Sequence, residues 1–169
     1  EESYGYLLAP FVRDKDALQA CLMLAEAGAY YKSLGKTLVD VLYDVFAEVG
    51  AYEDQQVSLT LAGAQGVAQI QKIMANFRTM DLKEFAGQKV VYFEDYLNQY
   101  RLDESGKNPL DFPAADVLKY GLEDGSWIAI RPSGTEPKCK FYYCVRGETF
   151  ELATEKLTVF KDFMNQLME

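Results

Sequence analysis

The sequence predicts an α+β protein, in which an antiparallel sheet of about four strands with flanking helices follows a helical piece of an α/β domain. Three observations predict it. Helical periodicity dominates up to about residue 53, and β-rich segments dominate after about residue 88. The chain then closes on a helix whose apolar positions Phe150, Ala153, Leu157, Phe160, Met164 and Leu167 alternate in spacing between three and four. The change of pattern divides the chain into residues 1–53 and residues 54–169.

In chain order, Asp14 is the expected N-cap of a helix running through Ala17, Leu18, Cys21, Leu22 and Leu24 to about Lys32, ended by Gly35. Its middle is apolar nearly all round, which predicts burial on several sides. Thr37 caps a second helix through Val41, Leu42, Val45 and Phe46, stopped by Gly50. Residues 55–61 alternate as a half-buried strand, and a helix from about Gly63 to Phe77 carries Ile70, Ile73, Met74 and Phe77 on one side. Residues 78–88 look like a connector. Strands are expected at 89–94, 117–122, 126–131 and 139–145, with Asp124-Gly125 turning the middle pair into a hairpin. Residues 103–113, with Gly106 and two prolines, look like a loop. The final stripe is too short for a coiled coil, so that helix is expected to cover one face of the sheet.

One segment carries chemistry: Arg131-Pro132-Ser133-Gly134-Thr135-Glu136-Pro137, lying between two expected strands. A guanidinium can hold two phosphate oxygens at once, Ser133 and Thr135 can each donate an O–H, and Gly134 has no Cβ to keep the backbone N–H away from a ligand. The prolines restrict φ on either side, so less loop entropy is lost on binding. A ligand-free polar hairpin turn would use the same residue types. The strand–loop–strand layout excludes the nucleotide P-loop, which opens a helix. Residues 125–147 hold Arg131, Lys138, Lys140 and Arg146 against Glu136 alone, a balance of +3 in a chain of net charge −9. A small cationic island on an acidic body suits a compact anion better than a nucleic acid, which calls for a basic face.

Composition narrows the classes further. With 49% hydrophobic residues, the 169-residue chain has enough apolar surface for a packed core and is expected to be a soluble globular protein. No apolar run is long enough to span a bilayer and no signal-peptide pattern is visible. Histidine is absent, so neither a Ser-His-Asp nor a Cys-His site can be assembled from this chain. The cysteines, Cys21, Cys139 and Cys144, are odd in number and lack Cys-x-x-Cys spacing, which favours reduced core thiols in a cytoplasmic protein. Phe141, Tyr142 and Tyr143 are expected to serve cross-strand and core packing, not base stacking. The chain opens on Glu1-Glu2 without a methionine, ahead of residues with a structured pattern, and is expected to be part of a longer protein.

Arg131 to Pro137, continued by Lys138-Cys139-Lys140-Phe141-Tyr142, resembles the C-terminal phosphate-binding loop of the α-D-phosphohexomutases, the phosphoglucomutase/phosphomannomutase family. Glu1-Glu2-Ser3-Tyr4-Gly5 is similar to that family's sugar-binding loop, and residues 11–17 and Tyr30-Tyr31-Lys32 resemble the segments that follow it. The resemblance spans essentially the whole chain and implies a four-domain enzyme. Residues 1–53 would be the end of its third domain. Residues 54–169 would be its fourth, phosphate-binding domain, with a fold like that of the TATA-box-binding protein.

The resemblance also implies an activity for the full-length protein: interconversion of hexose 1-phosphate and hexose 6-phosphate, with glucose the expected sugar, through a bisphosphate that turns end over end. Arg131, Ser133, Gly134 and Thr135 would hold the phosphate that is not reacting, with weaker help from Lys138 and Lys140. Glu1 and Ser3 would bond sugar hydroxyls. Tyr6 departs from the histidine of one branch of the family. Mg²⁺ and hexose 1,6-bisphosphate are implied for the full-length enzyme. The family's phosphoserine loop and Asp-rich metal motif do not occur in this sequence, so this part is expected to hold no catalytic residue, bind neither cofactor and be inactive alone. Its expected partners are a sugar phosphate and the N-terminal domains of the same protein, with no nucleic acid and no membrane. The alternatives are a freestanding sugar-phosphate or anion-binding module and a purely structural domain whose loop is a turn.

Overall fold

The Asp16 carboxylate accepts the N–H groups of Leu18 and Gln19 and so starts α1 (Ala17–Ser33). The expected cap, Asp14, lies too early: its carboxylate takes the neighbouring Lys15 N–H at 2.8 Å. Gly35, at φ 75°, releases the chain from the helix in the left-handed region that glycine tolerates. Thr37 and Asp40 then form a reciprocal capping box that starts α2 (Leu38–Val49). The structure, a computed structural model, describes residues 5–61, 63–134 and 136–168. The chain divides into two compact units at Ala51 and Tyr52. In the first unit the burial expected for α1 is not found. No residue of either helix is buried, and Leu18 and Leu22 are 83% and 71% exposed. Two helices packed on each other cover one stripe of each, and the apolar residues of α1 surround the whole axis.

The second unit continues with β1 (Ala51–Thr60), α3 (Ala64–Thr79), β2 (Glu84–Phe85), β3 (Gln88–Asp95), β4 (Tyr100–Asp103), β5 (Gly106–Pro109), β6 (Leu118–Leu122), β7 (Trp127–Pro132), β8 (Lys138–Gly147) and α4 (Phe150–Met168). Among the described residues eight strands form one sheet in the order β1-β8-β7-β6-β3-β4-β5, with β2 paired to β3. The pairings from β2 to β8 are antiparallel. The class is the expected α+β with an antiparallel sheet and flanking helices. The sheet is larger than expected because residues 100–109 form a β4–β5 hairpin, which overlaps the loop anticipated at 103–113, and β2 lies inside the anticipated connector.

One face of the sheet holds the core. Leu118, Tyr120 and Leu122 of β6, Ile128 and Ile130 of β7, and Cys139, Phe141, Tyr143 and Val145 of β8 are all buried, as the two-residue period of a strand requires. Ile70, Met74 and Phe77 of α3 and Leu157, Phe160 and Met164 of α4 close over them. Each such side chain stabilises the fold by roughly 1.5–3 kcal/mol through its burial. The stripe of α4 is buried at Ala153, Leu157, Phe160 and Met164, whereas Phe150, at the first turn, is exposed.

Polar knots fasten this layer. The fully buried Asp95 carboxylate accepts from Arg78 Nε at 3.0 Å, from the N–H groups of Leu97 and Asn98 at 3.1 Å each, and from Asn98 Nδ2 at 2.6 Å. The same Arg78 donates to Asp116 at 2.5 Å, so the end of α3 is tied to the end of β3. At the expected Asp124-Gly125 turn, Ser126 Oγ donates to Asp124 and accepts from the Arg146 N–H, and Lys156 of α4 pairs with Asp124. Of the three cysteines expected in the core, Cys139 and Cys144 are buried and Cys21 is exposed, because α1 has no buried side.

Candidate functional site

Ile130 and Cys139 point into the core, so their neighbours Arg131, Lys138 and Lys140 are forced to the opposite, outer face of the sheet. The β7–β8 register sets Arg131 directly opposite Lys140. Like charges directly opposite each other on adjacent strands are destabilising. Among the described residues no carboxylate forms an ion pair with either one. Two adjacent, uncompensated cations at the end of a hairpin are a site at which an anion relieves repulsion.

The loop between the two strands is held by its own backbone. The Ser133 N–H donates to the Lys138 carbonyl at 2.7 Å and the Lys138 N–H to the Glu136 carbonyl at 2.7 Å. The Glu136 N–H donates to Ser133 Oγ at 3.3 Å. The Pro137 carbonyl accepts the Leu61 N–H at 2.9 Å, which ties the loop to the end of β1. Gly134 has no positive φ, and a Cβ built there would meet nothing within 4 Å. Neither backbone strain nor a protein neighbour therefore demands glycine, and the space where a side chain would stand is open.

Of the residues singled out in the sequence, the structure brings together Arg131, Ser133, Gly134, Lys138 and Lys140. Lys138 is engaged by Glu136, with Nζ 3.5 Å from Oε2. Thr135, Glu1 and Ser3 lie outside the described residues. The Leu61 anchor was missed, since a backbone bond to a loop leaves no trace in side-chain pattern. The pairing of Arg131 with Lys140 was also missed; it depends on a strand register that loop length alone leaves unfixed.

The outer face beyond the clamp is lined by stacked cations. Arg101 lies 4.0 Å from the Tyr92 ring centre and Lys119 lies 4.7 Å from that of Trp127. Gly121 gives Tyr92 its room, since a Cβ there would collide with the ring. A separate open groove of about 650 Å³ lies between residues 80–83 and β3–β4, lined by Tyr92 and Arg101 and by none of residues 131–140. Arg101 is already paired there with Glu94 at 3.2 Å and Asp103 at 3.0 Å, so its charge is not offered to a ligand as that of Arg131 is. Among the described residues no group of three or more Cys, Asp or Glu side chains could hold a metal ion, and no helix is long and apolar enough to cross a membrane.

Residues 57–155 match the phosphoglucomutase/phosphomannomutase C-terminal domain. The chain belongs to the phosphoglucomutase/phosphomannomutase family. Phosphoglucomutase of Staphylococcus aureus strain MRSA252 is 41% identical over 159 residues, covering 93% of this chain and 29% of the relative. The protein from strain MSSA476 is 40% identical over the same span. The chain thus spans less than a third of the length of these relatives. Among solved structures, the open form of the exocytosis-sensitive phosphoprotein pp63/parafusin, a phosphoglucomutase from Paramecium, superposes with a TM-score of 0.61 at 14% identity. That likeness covers 98% of this chain and 30% of the Paramecium chain and speaks to the fold alone.

Proposed function

We propose that this chain is the C-terminal part of a hexose-phosphate mutase, with residues 1–53 the end of its third domain and residues 54–169 its fourth. The observation that carries the reading is the opposed pair of Arg131 and Lys140, uncompensated by any described carboxylate, at the mouth of the loop that resembles the family's phosphate-binding loop. The loop holds the phosphate of the substrate that is not reacting: Arg131 supplies a forked donor, Ser133 and Thr135 supply hydroxyls, and the Gly134 peptide approaches closely. Lys140 adds charge from across the hairpin, and Glu1 and Ser3 bond sugar hydroxyls. Such remote contacts orient the sugar phosphate and contribute binding energy to a step performed elsewhere in the protein.

The full-length protein on this reading is a cytoplasmic isomerase of carbohydrate metabolism. It interconverts glucose 1-phosphate and glucose 6-phosphate through the 1,6-bisphosphate. Mg²⁺ and the phosphoryl-donating serine belong to its other domains, and no step is assigned to a metal in this chain.

The test is a titration of the chain with glucose 1-phosphate, followed by amide chemical shifts. Shifts confined to residues near 131–140 with a dissociation constant of about 1 mM are expected, because each charge-assisted hydrogen bond contributes only about 1.5–3 kcal/mol before the cost of association. Arg131→Ala is expected to abolish them without lowering the unfolding midpoint. Absence of shifts in the loop would overturn the reading, as would enzyme-like interconversion of the two glucose phosphates by this chain alone. Micromolar affinity would point to a freestanding binding module.

A further inference from the structure

Glu136 is the one acidic residue between Gly125 and Gly147, and it stands inside a loop assigned to an anion. Its position is fixed by main chain. Its carbonyl accepts the Lys138 N–H at 2.7 Å and its N–H donates to Ser133 Oγ at 3.3 Å. Its side chain meets Lys138, with Oε2 3.5 Å from Nζ. Lys138 and Lys140 are two residues apart on β8 and share the outer face with Arg131. Of three cations on one face, two lack a described carboxylate and the third is neutralised within the loop.

We infer that Glu136 sets how tightly the clamp holds phosphate, by keeping Lys138 in an ion pair so that only two cations face the anion. The inference rests on the proposed function, in which a bisphosphate leaves the loop and returns by its other end. A clamp with three free cations would hold the phosphate longer, and differences in affinity among variants of one site lie mostly in dissociation. Glu136 thereby favours release over retention, and it disfavours ligands that bring a further negative charge beside the bound phosphate.

Titration of the chain and its variants with inorganic phosphate, read by amide shifts of residues 131–140 and by lineshape for the dissociation rate, tests this. Glu136→Gln is expected to tighten binding about fivefold through slower dissociation, the scale of one unit charge acting at contact distance in water. Adding Lys138→Ala to Glu136→Gln is expected to return the affinity to that of the unsubstituted chain. Unchanged or weaker binding by Glu136→Gln, with binding still abolished by Arg131→Ala, would overturn this inference and leave the phosphate clamp standing. A gain that survives Lys138→Ala would overturn the ion-pair account. No loop shifts in either the unsubstituted chain or Glu136→Gln would overturn the clamp itself, and this inference with it.

Discussion

Cys139 and Cys144 differ from Cys21 in one respect that governs their chemistry: burial. Burial pushes both thiols up from the usual 9.0 to about 12, with Asp116 adding to the effect at Cys139 and a hydrogen bond to Asp54 adding to it at Cys144. The thiolate is the nucleophile, so a thiol-specific reagent at pH 8 is expected to label Cys21 at once and the other two only on unfolding, as counted by mass spectrometry with and without urea. The same shifts have a sign for stability. A thiol whose folded value is raised contributes fully below its unfolded value and loses that contribution as pH rises from about 9 to about 12. Thermal midpoints are expected to fall across that window, and less so in Cys144→Ala.

At the scale of elements, the sequence and structure part company in instructive places. The α4 stripe was legible because its spacing matches the helical period over five turns, β7 and β8 because β-branched and aromatic residues mark them, and β6 because Leu118, Tyr120 and Leu122 alternate ahead of the Asp124-Gly125 turn. The β4–β5 hairpin was not. Tyr100 to Asp103 and Gly106 to Pro109 are only four residues each, carry more polar than apolar side chains, and are cohered by register and by Lys107 lying over the Tyr100 ring, 3.9 Å from its centre. The N-cap of α1 was misplaced by two residues because Asp14 and Asp16 offer the same carboxylate, and only backbone geometry separates them. At the candidate site, Arg131 stood out by residue type, whereas its facing of Lys140 is a property of pairing. Asp95 shows what joins elements once formed. Asp95→Ala would strip Arg78 of its buried partner and leave the N–H groups of Leu97 and Asn98 without their acceptor. A loss of about 2 kcal/mol is expected in urea denaturation, because buried donors are left without their acceptor while Arg78 keeps Asp116.

Across the whole molecule, the two units differ in how much they bury. In residues 52–169 two helices close over one face of an eight-stranded sheet, whereas α1 and α2 bury no residue. Opening free energies follow buried apolar contact, so hydrogen exchange on this chain is expected to be fast throughout residues 17–49 and slowest in β6, β7 and β8. Equal protection of α1 and β7 would contradict that ordering. The relatives named phosphoglucomutase are more than three times as long, and the proposed mutase assigns the uncovered helices to a domain completed by the rest of the protein.

The alternation along β7 and β8 has an evolutionary consequence. Along residues 138–143 the odd positions are buried and the even ones are not. One short stretch of gene therefore carries two interleaved messages, one read by the hydrophobic interior and the other, on the proposed function, by an anion from solvent. Drift or selection can rewrite the second, altering charge at 131, 138 and 140, while every word of the first is kept. A lineage can retune its ligand here without relearning how to fold.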